Sequence, residues 1–114
     1  LATKICNAVY NKFKDPGFND AQVMYLTAHG PGLLFTRKKA VKTLEDLKGL
    51  KIRGHGTTAA LAKALGATPV AMPMPELYQA LQKGVVDGAL YPMEVNKGWR
   101  MADQVKYGIM DFSC

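Results

Sequence analysis

The strongest constraint on the fold is a regular alternation of short apolar runs and helical segments between Leu50 and Tyr91. The runs "LKIR", "TPVAM" and "GALY" have the length and apolar content of buried strands. Between them, Thr57 or Thr58 can cap one helix, and Pro75 suits the first turn of a second. Strands that alternate with helices indicate an α/β domain with right-handed crossovers. We therefore predict a mostly parallel sheet flanked by helices.

The segments around this alternating core give further predictions. Thr43 and Asp46 have the spacing of a capping box at the start of a helical turn over residues 44–48. Leu61, Ala64 and Leu65 fall on one face of the first helix and are expected to be its apolar side. The other predicted elements are a helix over 3–14, a turn over 15–20, strands over 21–28 and 33–36, a helix over 93–103 interrupted at Gly98, and a strand over 107–112.

Size and cysteine content limit the class of protein. The 114 residues, 48 % of them hydrophobic and 21 % charged, suit one modest globular domain. No apolar run approaches the ~20 residues needed to cross a bilayer. Because the chain opens on Leu1 and residues 3–14 read like the tail of a helix, we expect a mature or excised fragment. Cys6 and Cys114 fit neither a CxxC motif nor a zinc site, which leaves two unpaired thiols or a disulfide between the termini.

The net charge of +6 raises the possibility of an anionic partner. Seven of the fifteen cations fall between Arg37 and Arg53, which could form a stripe that binds nucleic acid or a solvated loop and strand edge. Aromatic residues are not interleaved with these cations as stacking on bases requires. The pattern therefore favours the solvated edge, and we predict no nucleic-acid partner.

Arg53 stands out because it ends an apparently buried strand and is followed at once by Gly-His-Gly and a helix start. In open α/β sheets, ligands bind beyond the carboxyl ends of strands, where glycines and helix N-termini favour anions. Arginine can hold a carboxylate through two parallel hydrogen bonds. The spacing thus suggests an organic-anion site, with a structural ion pair or an exposed arginine as the alternatives. His55 could donate a hydrogen bond to the anion or could face solvent.

Several segments in a fixed order resemble one family of transport proteins. The segments "TLEDLKGLKIRG", "KALGATPVAMPMPELYQALQKGVVDGALYP" and "VKYG", within residues 41–107, are similar to the solute-binding subunit of tripartite ATP-independent periplasmic (TRAP) transporters, the DctP type. The segment "HGPGLLFTRK" extends the resemblance more weakly upstream. Several matches in sequence at the family's spacing are more specific than any one of them.

The resemblance implies a periplasmic receptor that captures a small organic acid and delivers it to a TRAP permease in the membrane. The implied fold is the periplasmic-binding-protein type, with two α/β lobes that close over the ligand. Residues 1–40 would then be the tail of the first lobe and the crossing strands, and residues 41–114 the α/β ligand-binding lobe of an incomplete receptor. Such a fragment is expected to self-associate, since it would expose apolar surface that the missing parts cover.

The same resemblance implies roles for individual residues. Arg53 matches the arginine that clamps the ligand carboxylate, and Met74 matches a position that packs an apolar side chain on the ligand or, alternatively, in the core. Tyr91 replaces an asparagine found in many members, and Leu90 replaces an acidic residue. These departures suggest a monocarboxylate with an apolar or aromatic body. The predicted ligand-binding residues are Arg53, His55, Met74 and Tyr91.

The sequence gives little support to an enzyme. No Ser-His-Asp or Cys-His set, P-loop or GxGxxG motif occurs, and two distant histidines with two terminal cysteines do not form a metal site. We therefore predict no catalytic residue, no metal site and no cofactor. The alternative function is an anion-sensing module of a signalling protein that shares the binding-protein fold.

Overall fold

The structure, a computed structural model, describes residues 1–110, and the chain divides into two compact units at Gly30 and Pro31. The first unit contains the predicted N-terminal helix, α1 (Ala2–Phe13), followed by a 3-10 turn at Pro16–Phe18. Cys6 is exposed on α1, whereas Cys114 lies outside the described residues, so their pairing stays a prediction. No helix in residues 1–110 is long and apolar enough to span a membrane.

The predicted strand over residues 21–28 is wrong, because the backbone of this segment forms hydrogen bonds with side chains of α1 and not with another strand. The side-chain amide of Asn7 donates to the Leu26 carbonyl at 3.2 Å, and the Thr3 hydroxyl accepts from the Ala28 N–H at 3.2 Å. The segment has apolar residues at the spacing of a strand. It has no strand partner among residues 1–110, so the pattern alone did not decide its conformation.

The second unit contains one sheet of five strands. The strands are β1 (Gly32–Thr36), β2 (Lys51–Gly54), β3 (Thr68–Ala71), β4 (Gly88–Pro92) and β5 (Tyr107–Ile109), and their order across the sheet is β3-β2-β4-β1-β5. The predicted strands over 33–36 and at the start of 107–112 are confirmed, while positions 111 and 112 lie outside the described residues.

The α/β class is confirmed, but the prediction of a mostly parallel sheet needs a correction. Strand β2 pairs in parallel with β3 and β4, whereas β1 pairs antiparallel with both β4 and β5. Four strands therefore point the same way, and only two of the four pairings are parallel. The reason is that β1 enters from the upstream unit in the reverse direction and inserts between β4 and β5. No αβ repeat connects it to its neighbours, so the alternating pattern did not reveal its position.

Two helices form the crossovers that the sequence predicted. Helix α2 (Thr57–Ala64) joins β2 to β3, and helix α3 (Met74–Lys83) joins β3 to β4 and ends at Gly84 in the left-handed conformation, with a φ of 73°. On α2, Leu61 and Leu65 pack against the core as expected. Ala64, however, is exposed, and Ala62 is buried in its place.

The sheet has a separate apolar cluster on each face. Alternate residues of each strand point to opposite faces, so neighbouring positions contribute to different clusters. The cluster on the α3 side contains Leu77 and Leu81 of α3 together with alternate strand residues, namely Leu33, Phe35, Ala89 and Tyr91. The cluster on the α2 side contains Leu34, Leu47, Ile52, Ala62, Ala67 and Leu90. Arg53 lies between Ile52 and Gly54, and its side chain therefore points to the α3 side.

Two short connections follow local sequence signals. The predicted capping box is present before the 3-10 turn at Leu44–Leu47, where the Asp46 carboxylate accepts from the Thr43 N–H at 3.1 Å. A hydrogen bond from Lys39, followed by those from the backbone, lowers the pKa of Asp46 well below its usual range. The predicted helix over 93–103 breaks near Gly98 into α4 (Val95–Gly98) and a 3-10 turn at Met101–Asp103.

The two compact units do not test the predicted boundary between receptor lobes at residues 40 and 41, which stays a prediction. The second unit begins at Pro31 because β1 forms hydrogen bonds with β4 and β5. What each part contributes to a larger receptor stays a prediction, as does self-association. Helix α1 and the residue before it carry four exposed apolar side chains at four-residue spacing, namely Leu1, Ile5, Val9 and Phe13.

Candidate functional site

The buried guanidinium of Arg53 is the main feature of the candidate site. The residue is only 8 % exposed, and its Nε donates to the Met72 carbonyl at 3.0 Å. No carboxylate within residues 1–110 forms an ion pair with it. Desolvation lowers the pKa of Arg53, because burial disfavours its charged form. The structure thus contains a buried cation at the carboxyl end of β2 without a counter-charge from the described residues.

The strand neighbours of Arg53 cannot balance its charge. In the sheet register Arg53 lies beside Val70 of β3 on one side and Ala89 of β4 on the other. Both side chains are apolar, and they belong to or pack against the cluster on the α3 side. A buried charge without a partner is unfavourable, so the arrangement indicates either strain or a binding role.

The loop after Arg53 brings the start of α2 close to the end of β2. A Cβ atom on Gly54 would lie 2.6 Å from the Ala59 nitrogen, so only glycine fits there without movement of the helix. The Thr58 hydroxyl accepts from the His55 N–H at 2.8 Å and donates to the His55 carbonyl at 3.0 Å. The N–H groups of Thr58 and Ala59 are bonded within the turn. The helix therefore offers fewer free donors than the sequence suggested.

The predicted site residues occupy different environments. Arg53, Met74 and Tyr91 lie on the α3 side of the sheet, whereas His55 is exposed beyond the end of β2. Met74 is the first residue of α3 and is partly buried against the apolar cluster. The packing contact of Met74 agrees with the core alternative, and a contact with ligand stays a prediction.

Tyr91 is a core residue in this structure. It is 2 % exposed, and its ring stacks on Phe35 with the ring centroids 4.6 Å apart. Its hydroxyl donates to Asn96 Oδ1 at 3.1 Å, and burial raises the pKa of that hydroxyl. A ligand contact by Tyr91 therefore stays a prediction, and the hydrogen bond to Asn96 is what the structure shows.

Sequence reasoning missed two residues that organise the site. The Met72 carbonyl accepts a hydrogen bond from Arg53, and a parallel register that puts Arg53 beside Val70 could have indicated it, because Met72 follows Val70 by two positions, just past the end of β3. The second residue is Asn96, which accepts the hydrogen bond of Tyr91. Its role required knowing that the chain turns back after β4.

We expect Tyr91→Phe to lower the free energy of unfolding by about 1 kcal/mol, because it removes one partly buried hydrogen bond and leaves the ring stack intact. Urea denaturation followed by circular dichroism measures this change. Asn96→Ala and the double variant complete a thermodynamic cycle, in which the two single effects should not add. Strict additivity would show that the hydroxyl and the amide do not interact.

Two pockets of the second unit lie away from Arg53. One of about 300 Å³ is lined by Phe35, Met93, Asn96, Ala102, Val105, Lys106, Tyr107 and Gly108. Another, of about 330 Å³, lies on the α2 side around Leu34, Val41 and Leu47. Neither includes Arg53, so the case for the site rests on the buried charge and its position in the fold.

Comparison with known proteins shows the family of this chain. Residues 2–111 match the family DctP, bacterial extracellular solute-binding protein family 7. The chain belongs to this family. A TRAP solute-binding protein from Rhodoferax ferrireducens T118, solved with copurified benzoate, is similar with a TM-score of 0.80 and 37 % identity, over 93 % of this chain and 33 % of that one.

Two more relatives show the range within the family. One is a marine metagenome TRAP solute-binding protein specific for aromatic acid ligands, solved with 3-hydroxybenzoate. It has a TM-score of 0.82 and 33 % identity to this DctP-family chain, and the match covers 94 % of this chain and 34 % of the relative's chain. The 2,3-diketo-L-gulonate-binding periplasmic protein YiaO of Escherichia coli is 42 % identical over 57 residues, which is 48 % of this chain and 17 % of YiaO. The chain thus spans about a third or less of each relative.

Proposed function

We propose that this DctP-family chain forms part of a periplasmic receptor that binds a small organic acid through Arg53 and delivers it to a TRAP permease. The observation that carries the proposal is the buried guanidinium of Arg53, which has no counter-charge among residues 1–110. A ligand carboxylate would supply that charge. Family membership and the similarity to TRAP solute-binding proteins support the transport role.

The hydrogen bonds of Arg53 determine how a carboxylate would bind. A guanidinium has five N–H donors, and the bond from Nε to the Met72 carbonyl uses one and fixes the plane of the group. The two terminal nitrogens keep donors that can point at both oxygens of one carboxylate. A lysine ammonium lacks this fork, so the arrangement favours arginine for geometric reasons as well as for its charge.

The surroundings of Arg53 favour an acid with an aromatic or apolar body. Met72, Met74 and Tyr78 pack partly buried against the same cluster on the α3 side. The side chains offer apolar contacts and few partners for several hydroxyl groups. The relatives solved with benzoate and 3-hydroxybenzoate support this ligand class, whereas YiaO is named for a sugar acid. His55 is proposed as a further donor at the exposed end of the site.

Calorimetric titration of the longest natural form of the receptor that contains this sequence tests the proposal. We expect benzoate and 3-hydroxybenzoate to bind and benzamide to fail, because benzamide keeps the ring but lacks the negative charge. Galacturonate and 2,3-diketogulonate are the polyhydroxylated comparison. Binding of the sugar acids alone would contradict the aromatic class but not the receptor. Binding of no carboxylate would contradict the receptor proposal itself.

A further inference from the structure

The fold gathers most of the chain's cations at one edge of the sheet. Strands β2 to β5 start at this edge and β1 ends there, so the loops between helices and strands meet along it. Six of the seven cations that cluster in the sequence lie here, and α2, α3 and the segment before β5 add three more. We call this surface the basic edge, formed by Arg37, Lys38, Lys39, Lys42, Lys48, Lys51, Lys63, Lys83 and Lys106.

The basic edge carries a large uncompensated charge. Its nine cations face four carboxylates, those of Glu45, Asp46, Asp87 and Asp103, which leaves a net charge of +5. Asp46 is already paired with Lys39 at 2.9 Å. The Asp87 carboxylate accepts from the Lys51 N–H at 2.9 Å and so helps to hold the backbone.

The opposite edge of the sheet is close to neutral. Arg53 and Lys97 lie near the carboxyl ends of β2 and β4, together with Glu76 and Glu94, so cations and carboxylates balance. The charge is therefore polarised along the strand direction. A uniform excess of surface lysine would not produce this separation.

Backbone hydrogen bonds hold the charged loops in one row. The Lys106 N–H donates to the Thr36 carbonyl at 3.0 Å, the Arg37 N–H donates to the Asp87 carbonyl at 2.9 Å, and the Asp87 N–H donates to the Lys51 carbonyl at 2.8 Å. The row includes a depression of about 320 Å³ lined by Arg37, Lys38, Asp103, Gln104, Lys106 and Tyr107. Its one carboxylate, Asp103, pairs with Arg100 at 3.0 Å, so the cations of the depression remain available.

The composition of the basic edge distinguishes between classes of partner. Eight of its nine cations are lysines, whereas protein interfaces are poor in lysine and rich in arginine and aromatic residues. Clusters of four to eight basic residues bind anionic lipid surfaces, where each ammonium acts as a point charge on phosphates. Leu44 and Val85 lie in the same loops and are 60 % and 49 % exposed, so their side chains can enter the lipid interface.

We propose that the basic edge docks on a bilayer surface that contains anionic phospholipid. Contacts between the lysine ammonium groups and lipid phosphates, together with burial of the Leu44 and Val85 side chains in the lipid interface, stabilise the bound state. The depression at Arg37 can bind one headgroup phosphate. This surface is separate from the Arg53 site and does not depend on the ligand proposed there. A receptor held at the membrane searches for a membrane partner in two dimensions, which suits but does not require the proposed delivery role.

Vesicle co-sedimentation of the 114-residue chain tests this inference. Vesicles of phosphatidylcholine with 30 % phosphatidylglycerol should bind the chain at low salt, and pure phosphatidylcholine vesicles should not. The triple variant Lys38→Gln, Lys51→Gln and Lys106→Gln changes only exposed side chains. Since each basic residue near such a surface contributes a factor of about five, its partition coefficient should fall about 100-fold.

A matched control separates the basic edge from net charge. The variant Lys4→Gln, Lys14→Gln and Lys97→Gln removes the same charge from exposed positions outside the edge and should bind nearly as well as the unmodified chain. Circular dichroism melting of both variants shows that they fold. Equal losses in the two variants would overturn the proposal. So would equal binding to neutral vesicles, or equally tight binding to a single-stranded oligonucleotide at the same phosphate concentration, which would indicate a general affinity for polyanions.

Discussion

Replacing Arg53 with methionine is expected to abolish carboxylate binding without destabilising the ligand-free protein. Loss of one partner of a buried charge pair costs roughly 2–5 kcal/mol of binding free energy, or at least about 30-fold in affinity. In the ligand-free chain, by contrast, Arg53 is a buried cation without a counter-charge in residues 1–110. An apolar side chain removes that penalty, so the free energy of unfolding should stay the same or rise, by up to about 4 kcal/mol.

A binding role for Arg53 predicts a loss of affinity without a loss of stability, whereas a structural role predicts a loss of stability. Calorimetric titration with benzoate measures binding, and urea denaturation without ligand measures stability. Arg53→Lys keeps the charge but loses the fork and the bond to Met72, so it should recover only part of the affinity. If Arg53→Met lowered the free energy of unfolding by several kcal/mol, Arg53 would be a structural residue, and the binding site would have to lie elsewhere.

Gly88→Ala should produce the largest loss of stability, about 3 kcal/mol or more, because β4 has no room for a methyl group at this position. An added Cβ would collide with the Phe35 carbonyl oxygen and would lie 2.9 Å from Thr36 Cγ2 and 3.2 Å from Ile52 Cδ1. Gly88 pairs with Thr36 on one side and Ile52 on the other, so neither neighbouring strand can move away freely. Urea denaturation measures the loss.

Gly98→Ala is the matched control for this substitution. An added Cβ on Gly98 meets no atom within 4 Å, and the residue ends the short helix α4. Alanine should therefore leave the free energy of unfolding within about 1 kcal/mol of the original value, and the expected change is a small increase from its higher helix propensity. Similar effects at the two positions would show that loss of glycine flexibility, and not the collision, controls stability at Gly88.

The sequence predicted the αβ units well because their signals are local. The predicted cap of α2 at Thr57 or Thr58 is wrong, because its N-cap is Gly56 and both threonines lie inside the helix. By contrast, Pro75 in the first turn of α3 and the left-handed glycine at Gly84 act within a few residues, so α3 lies where the neighbouring residues indicated it. The prediction that Arg53 ends a buried strand is confirmed for the same reason. Each of these features needs no knowledge of distant partners.

The features that the sequence did not predict depend on distant contacts. The segment over 21–28 has the composition of a strand, yet it bonds to Asn7 and Thr3. The burial of Tyr91 depends on Phe35, which the register of β1 brings beneath its ring. Neither contact leaves a periodic signal in one sequence, so composition and spacing could not predict it.

The insertion of β1 between β4 and β5 has a consequence for how the sheet is assembled. Strands β2, β3 and β4 follow one another along the chain and can pair through short crossovers, whereas Leu34 of β1 must find Leu90 and Ile109, much later in sequence. Closing such long loops costs entropy before any pairing compensates, and non-local pairing slows folding. Although β1 precedes the other four strands in sequence, it is thus expected to be incorporated late, and the rate-limiting step in forming this sheet should be its entry.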